Sequence, residues 1–254
     1  MRVMIPLPDL DEQKALIQSI APVRLRRFRS ATGGADRTAV ELYVVDAQLS
    51  SHLHASLRLV EITLREHLHR ALTATFGERW FEHRRDVLDE ETRDQIDDAI
   101  RKVGPKAPAG KVVAQLMLGT WVNLLGRGAH KPDGEKAQYV RDLWEPALEA
   151  TFPRGTRKQV HGLAHGLNFA RNRINHCEPV VFGFPQPGMG EGGIQIRRAP
   201  RLILDDMRSL LGHMHPHLQE WTTRWEEVET LLAHELIEPA LDVVDRDPKV
   251  DLRR

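Results

Sequence analysis

Arg171, Asn172 and His176 are the residues whose types and spacing point most directly to chemistry in this chain. On a helix with Arg171 at zero and about 100° per residue, Asn172 points to about 100° and His176 to about 140°. A fixed cation, an amide and a base then fan across one side. His161, His165 and Asn168 fall near roughly 80°, 120° and 60° on the same scale, so the polar stripe runs the length of the helix. Solvated helix faces are usually rich in Glu and Lys; this one is His, Asn and Arg, which suit an anionic or polar partner. Arginine with histidine is what metal-free phosphodiester cleavage needs. The imidazole takes or gives a proton near neutral pH, and the guanidinium, always charged, matches the extra charge on a phosphorane. With RNA the neighbouring 2′-hydroxyl is the nucleophile. One Arg and one His are thin for a whole site, and a symmetric dimer would supply the second of each.

The elements that position these residues are read from periodicity. Leu163, Leu167, Ala170 and Ile174 gather opposite the polar stripe as a core-facing row, on a helix expected from Arg157 to Cys177 and stopped by Pro179. Gly162 and Gly166 each cost about 1 kcal/mol in a helix interior, a cost explained if another backbone comes close there. From Val40 to Phe76, leucines and Val60 recur at steps of three or four, predicting a long helix that Gly77 ends and against which Trp80 and Phe81 dock. Glu61 and Arg65 on it have ion-pair spacing. Further helices are expected over 89–103, 111–125, from near Glu135 to before Phe152, over 202–214 and over 216–236. Residues 1–12 read as an extended arm before a short helix capped by Asp11, and Pro22 marks a break or a new helix. Arg24, Arg26, Arg27 and Arg29 form a basic cluster, read as a solvated face in preference to a phosphate contact. Residues 180–197 have β-type runs around a Gly/Pro-rich tip, a two-stranded hairpin or an irregular flap. The tail after Pro239 is expected to fray. Without repeats or a composition shift, residues 1–254 are read as a single all-α domain, with the 1–12 arm and 240–254 tail peripheral.

The totals exclude several classes. Lys and Arg number 36, as do Asp and Glu, so no global positive field announces a nucleic-acid partner, and any RNA contact must come from a local patch. A single cysteine rules out an internal disulfide framework and fits the cytoplasm. No apolar run reaches the roughly 18 residues of a membrane span, so no membrane partner is expected. Phosphate-loop and G-x-S-x-G patterns are absent. Cys177 beside His176 is a poor nucleophile–base pair, because adjacent helical side chains diverge by about 100°. His161 and His165 have the spacing of zinc-peptidase ligands, but Gly162 occupies the place of the general-base Glu. His213, His215 and His217 cluster around Pro216, a first-turn proline, and read as capping or hydrating a loop. No third ligand type is in register, so no metal is expected.

The string Arg171-Asn172-Arg173-Ile174-Asn175-His176-Cys177-Glu178-Pro179 resembles the R-x4-6-H motif of HEPN ribonucleases, and more closely the abortive-infection Abi-like (AbiD/AbiF type) branch, where it tends to read R-N-R-I-A-H-H-E-P. Landmarks fall in that branch's order: Ala39 to Tyr43, Leu59-Val60-Glu61 with Leu64-Arg65, Gly77 with Trp80, and Leu118 to Trp121. Leu143-Trp144 with Phe152-Pro153, and His215-Pro216 with Trp221, complete a series spanning roughly residues 20–240. The resemblance implies an all-α HEPN-like bundle, a homodimer bringing two motifs together, and metal-independent endoribonuclease activity in phage defence or as a toxin, without cofactor and with an antitoxin or regulatory RNA as a further partner. By position Arg171 and His176 would be catalytic and Asn172 would orient one of them. Arg173, His165 and Asn168 would contact RNA, and Glu61, Arg65 and Glu178 would support the site. Cys177 stands where a second His is common, Asn175 replaces a small residue, and Val45-Asp46 stands where Trp-Asn is frequent. A non-catalytic HEPN-type module binding RNA or a protein through the same stripe is the alternative, and a His-held metal the third reading.

Overall fold

Helix α3, Asp36–Phe76, is the longest element and follows from its apolar spacing. Between Ala39 and Leu49 it is buried on most sides; further along, burial narrows to Leu53, Leu57, Val60, Leu64, Leu68 and Leu72. Gly77, at φ +88°, ends it as expected. The computed structural model describes residues 5–254, so the first four residues of the expected arm lie outside it. It is mostly helical, with one small three-stranded sheet. By its internal contacts the chain divides into two units, and the division falls inside α3, α8 (Arg157–Asn175) and α9 (Pro200–Met214).

The first unit comprises Met1–Leu57, Phe169–Asp206 and Thr223–Arg254. Helix α1, Leu10–Ser19, is capped by Asp9 and not by Asp11: the Asp9 carboxylate accepts from the Asp11 and Glu12 amides while Glu12 reaches back to the Asp9 amide. Helix α2, Pro22–Ala31, starts on its proline. Its buried Phe28 meets Tyr43 and Phe182 edge-on, at 5.3 and 5.1 Å between ring centres. The 180–197 region does contain a hairpin: β1 (Phe184–Pro185) pairs antiparallel with β2 (Gln195–Arg198). The tail corrects the expectation of fraying. Helix α12, Ile237–Asp245, buries Ile237, Ala240, Leu241 and Val244, and Pro239 lies in its first turn, where a missing N–H costs nothing. After it β3 (Val250–Arg253) joins the sheet parallel to β2.

The second unit comprises Arg58–Asn168 and Met207–Thr222. Trp80, in α4 (Trp80–His83), docks on α3 as expected, donating from Nε1 to His69 Nδ1 at 3.0 Å and packing 6.1 Å from the Trp121 ring. Helix α5, Glu90–Val103, is capped by Asp89, which also accepts from the Ala129 amide at 2.9 Å. The expected 111–125 helix is instead two: α6 (Ala109–Val113) and α7 (Leu118–Leu125). Leu116 and Leu118 are both buried while Met117 is 59% exposed, an alternation that extended chain provides and one helix face does not. The Trp144 segment begins later than expected and is π-helical over Val140–Leu148, the wider turn that suits Pro146, whose ring would collide with a carbonyl in an α-helix. The expected 216–236 helix also breaks. Helix α10, Pro216–Thr222, belongs to this unit and α11, Glu226–Leu232, to the first, with Trp225 at φ −82°, ψ 63° leaving the helical region between them.

Candidate functional site

The motif occupies the last turn and the end cap of α8. Its inward row is as expected, with Leu167, Ala170 and Ile174 buried and Leu163 half-buried. The helix, however, stops at Asn175, two residues before the expected end. The Glu178 amide donates to the Arg173 carbonyl at 3.1 Å and the Cys177 amide to the Ile174 carbonyl at 2.9 Å, the bond pair of a Schellman cap. Cys177 holds the position such a cap usually gives to glycine, and it is left-handed, at φ +52°. The chain has therefore turned before Pro179 is reached. A hydrophobic contact often closes this cap; here Arg173 Nη1 and Glu178 Oε1 form an ion pair at 2.6 Å between the same two positions. Replacing Cys177 with Gly relieves the left-handed strain and should raise stability by about 1 kcal/mol. Urea denaturation checks this, and a destabilised Cys177→Gly would refute the role given to the cap.

Arg171 faces Asn175. With the amide oxygen turned to the guanidinium, Asn175 accepts from Arg171 Nη1 at 3.1 Å and Nε at 3.2 Å. The resemblance gave Asn172 the role of orienting Arg171 or His176; Asn175, four positions after Arg171 and one turn along the helix, is the amide that faces the guanidinium. The spacing was available as a signal. Asn172 is half-buried, whereas His176 is exposed at the cap, its amide bonded to the Asn172 carbonyl at 3.0 Å.

Arginines from other elements reach this turn and the loop that follows it. Arg24 in α2 directs Nη1 to the Cys177 carbonyl at 3.5 Å. Arg27 lies over the Phe182 ring at 4.5 Å from its centre. Arg197 in β2 is buried, donating to the carbonyls of Phe182 at 2.9 Å and Gly183 at 2.6 Å. Burial, helped by the charges of Arg27 and Arg173 and opposed by that of Glu178, pulls the Arg197 guanidinium down to about 10. Arg24 and Arg27 of the basic cluster read as a solvated face are exposed and also touch the end of the motif and the loop that follows it. Below this loop, Asp46 of α3 accepts from the Val180 and Val181 amides at 2.6 and 2.9 Å, both on Oδ1. Burial outweighs these donors and pushes its carboxyl up to about 6. Sequence reading noted Asp46 only as a departure, since 134 residues separate it from Val180.

The other candidates lie in the second unit, on the earlier turns of α8 and the later turns of α3. His161 and His165 are half-buried and stack with ring centres 5.6 Å apart, and burial, with the charges of His165 and Arg157, lowers the His161 pKa. Asn168 is half-buried, its amide facing Gly119. Arg65 forms an ion pair with Glu66 at 3.3 Å, and Glu61 is half-buried. A Cβ at Gly162 would meet nothing within 4 Å, so no backbone among the described residues accounts for that glycine; Gly166 is buried. His217 pairs with Glu220 at 2.8 Å on the surface of α10. Among the described residues no three His, Cys, Asp or Glu side chains gather as metal ligands, and no helix is long and apolar enough to cross a membrane.

Comparisons with protein-family models, with curated proteins and with solved structures each find no match for this chain.

Proposed function

We propose that the chain is a metal-independent endoribonuclease of the HEPN type, working as a homodimer in phage defence by abortive infection or as a toxin. The observation that carries the reading is local: a guanidinium turned to a neighbouring amide and an exposed imidazole share the end of one helix, beside Arg24 and Arg27. In the proposed reaction His176 of one protomer accepts the proton of the RNA 2′-hydroxyl. The 2′-oxygen bonds to phosphorus, the bond from phosphorus to the 5′-oxygen breaks, and the partner subunit's His176 protonates that leaving oxygen. The products are a 2′,3′-cyclic phosphate and a 5′-hydroxyl. Arg171 offsets the charge gained by the phosphorane. An antitoxin or regulatory RNA would keep such an activity in check.

The direct test is incubation of the purified protein with RNA in the presence of a chelator, with products resolved by end chemistry. Cleavage to cyclic-phosphate ends supports the reading. RNA binding without cleavage would instead leave the non-catalytic module, which the exposed arginines of α2 also suit.

Exposed Arg24, Arg26 and Arg27 supply the local patch that a neutral chain lacks globally. The double variant Arg24→Ala/Arg27→Ala should weaken single-stranded RNA binding. It should also flatten the dependence of log affinity on log salt by about 1.4, the value for two lost phosphate contacts. A slope equal to that of the unaltered protein would remove these arginines from the RNA path.

A further inference from the structure

The first unit contains a concave feature that the nuclease reading does not use. It is a cavity of about 570 Å³ against one face of α3, bordered by α11 and crossed by Ile5 to Leu7. That volume lies within the range of small-molecule sites, roughly 300–1,000 Å³. Val44 and Val45 are almost fully buried at its floor and Leu231 forms a wall, so the body of an occupant meets aliphatic surface.

The polar groups around it are unusual in being mostly acceptors. Gln48 is 5% exposed and its Nε2 donates to the Ile5 carbonyl at 2.7 Å, which fixes the amide with Oε1 left as an acceptor. His52 Nδ1 lies 2.8 Å from the Gln48 carbonyl, an oxygen that can only accept. The ring proton therefore sits on Nδ1, and the neutral ring offers Nε2 as another acceptor. Glu226 and Glu227 add two exposed carboxylates with no cation paired to either among the described residues. Among the described residues no Lys or Arg lines the cavity. His234 supplies a donor, because its Nδ1 accepts from the Leu236 amide at 3.3 Å and its proton is left on Nε2.

From this complementarity we infer that the cavity binds an organic amine: an apolar body seated on Val44, Val45 and Leu231, and an ammonium group among Gln48, His52, Glu226 and Glu227. Anionic ligands meet two carboxylates and, among the described residues, no cation. Neutral ligands of the same shape keep the apolar contact and lose the charge-assisted hydrogen bonds. The inference is independent of the nuclease reading.

The test is calorimetric titration of the full chain with three ligands of one shape: 4-phenylbutylamine, 4-phenylbutan-1-ol and 4-phenylbutyrate. The amine should bind saturably at one site, the alcohol roughly tenfold or more weaker, a gap of about 1.4 kcal/mol, and the carboxylate not at all. Ala55 is exposed at the cavity wall, so Ala55→Trp fills the space without disturbing the core and should abolish amine binding. The double variant Glu226→Gln/Glu227→Gln should bring the amine down to the affinity of the alcohol. Equal binding of all three ligands, no saturable binding of the amine, or undiminished binding by an Ala55→Trp protein with unchanged circular dichroism would each overturn the assignment.

Discussion

Arg171→Ala and His176→Ala are each expected to reduce RNA cleavage by two to four orders of magnitude while leaving the fold intact. A positioned general acid or base contributes about 10²–10⁴-fold, and removal of a preorganised charge stabiliser costs about 10²–10³-fold. His176 is exposed at the cap of α8, so truncating it opens no cavity. Groups that serve one transition state fail together, so the double variant should be little slower than the worse single variant. Asn175→Ala separates positioning from chemistry: it removes the amide facing the guanidinium and leaves Arg171 in place, so its loss should be smaller and appear in kcat more than in KM. Initial rates on a fluorophore-quenched RNA, with circular dichroism on each variant, measure all four proteins. Cleavage that persists in both Arg171→Ala and His176→Ala would end the site assignment.

What was legible in the sequence was local and periodic. The leucine spacing gave α3 and the inward row gave α8, while the β-type runs around Gly183 to Gly193 left open a hairpin, which β1 and β2 form, or an irregular flap. The breaks between α6 and α7 and between α10 and α11 were not legible, because periodicity sees apolar spacing and not the turn that lets both Leu116 and Leu118 bury. Strand β3 was hidden for a different reason. It is stabilised by pairing with β2, more than 50 residues earlier, so its own residues carry only a charged alternating pattern. The same division runs through the candidate site. Arg171, Asn175 and His176 are near neighbours in sequence, and their relation follows from helical spacing. Arg24, Asp46 and Arg197 reach the turn after the motif from three other elements, and nothing in a single sequence joins them to it.

Asp46 should set a measurable pH dependence. Its carboxyl is raised to about 6 in the folded protein from an ordinary 3.8, so the folded state holds the proton over a window in which the unfolded chain has released it. Stability contributed by this group is therefore greatest below about pH 4, falls as pH rises, and is fully lost above about 6; the span amounts to about 3 kcal/mol. Both backbone donors go to Oδ1, so Oδ2 can carry the proton without breaking either bond. Asp46→Asn keeps an oxygen for the Val180 and Val181 amides and cannot ionise. Its stability relative to the unaltered protein should climb by about 3 kcal/mol between pH 4 and pH 7. Asp206, whose carboxyl burial also raises to about 6, is present in both proteins and cancels in the difference. Asp46→Ala strands two buried amides and should be less stable by about 3 kcal/mol at acid pH, where the native carboxyl is neutral. Urea denaturation across this range supplies the curves, and parallel curves for the Asn variant and the unaltered protein would refute the titration. Val180 and Val181 follow His176 by four and five residues, so the carboxyl holds the loop that leaves the proposed active site. Asp46→Asn should then retain RNA cleavage and Asp46→Ala lose it under conditions where both are folded, because only the alanine releases that loop.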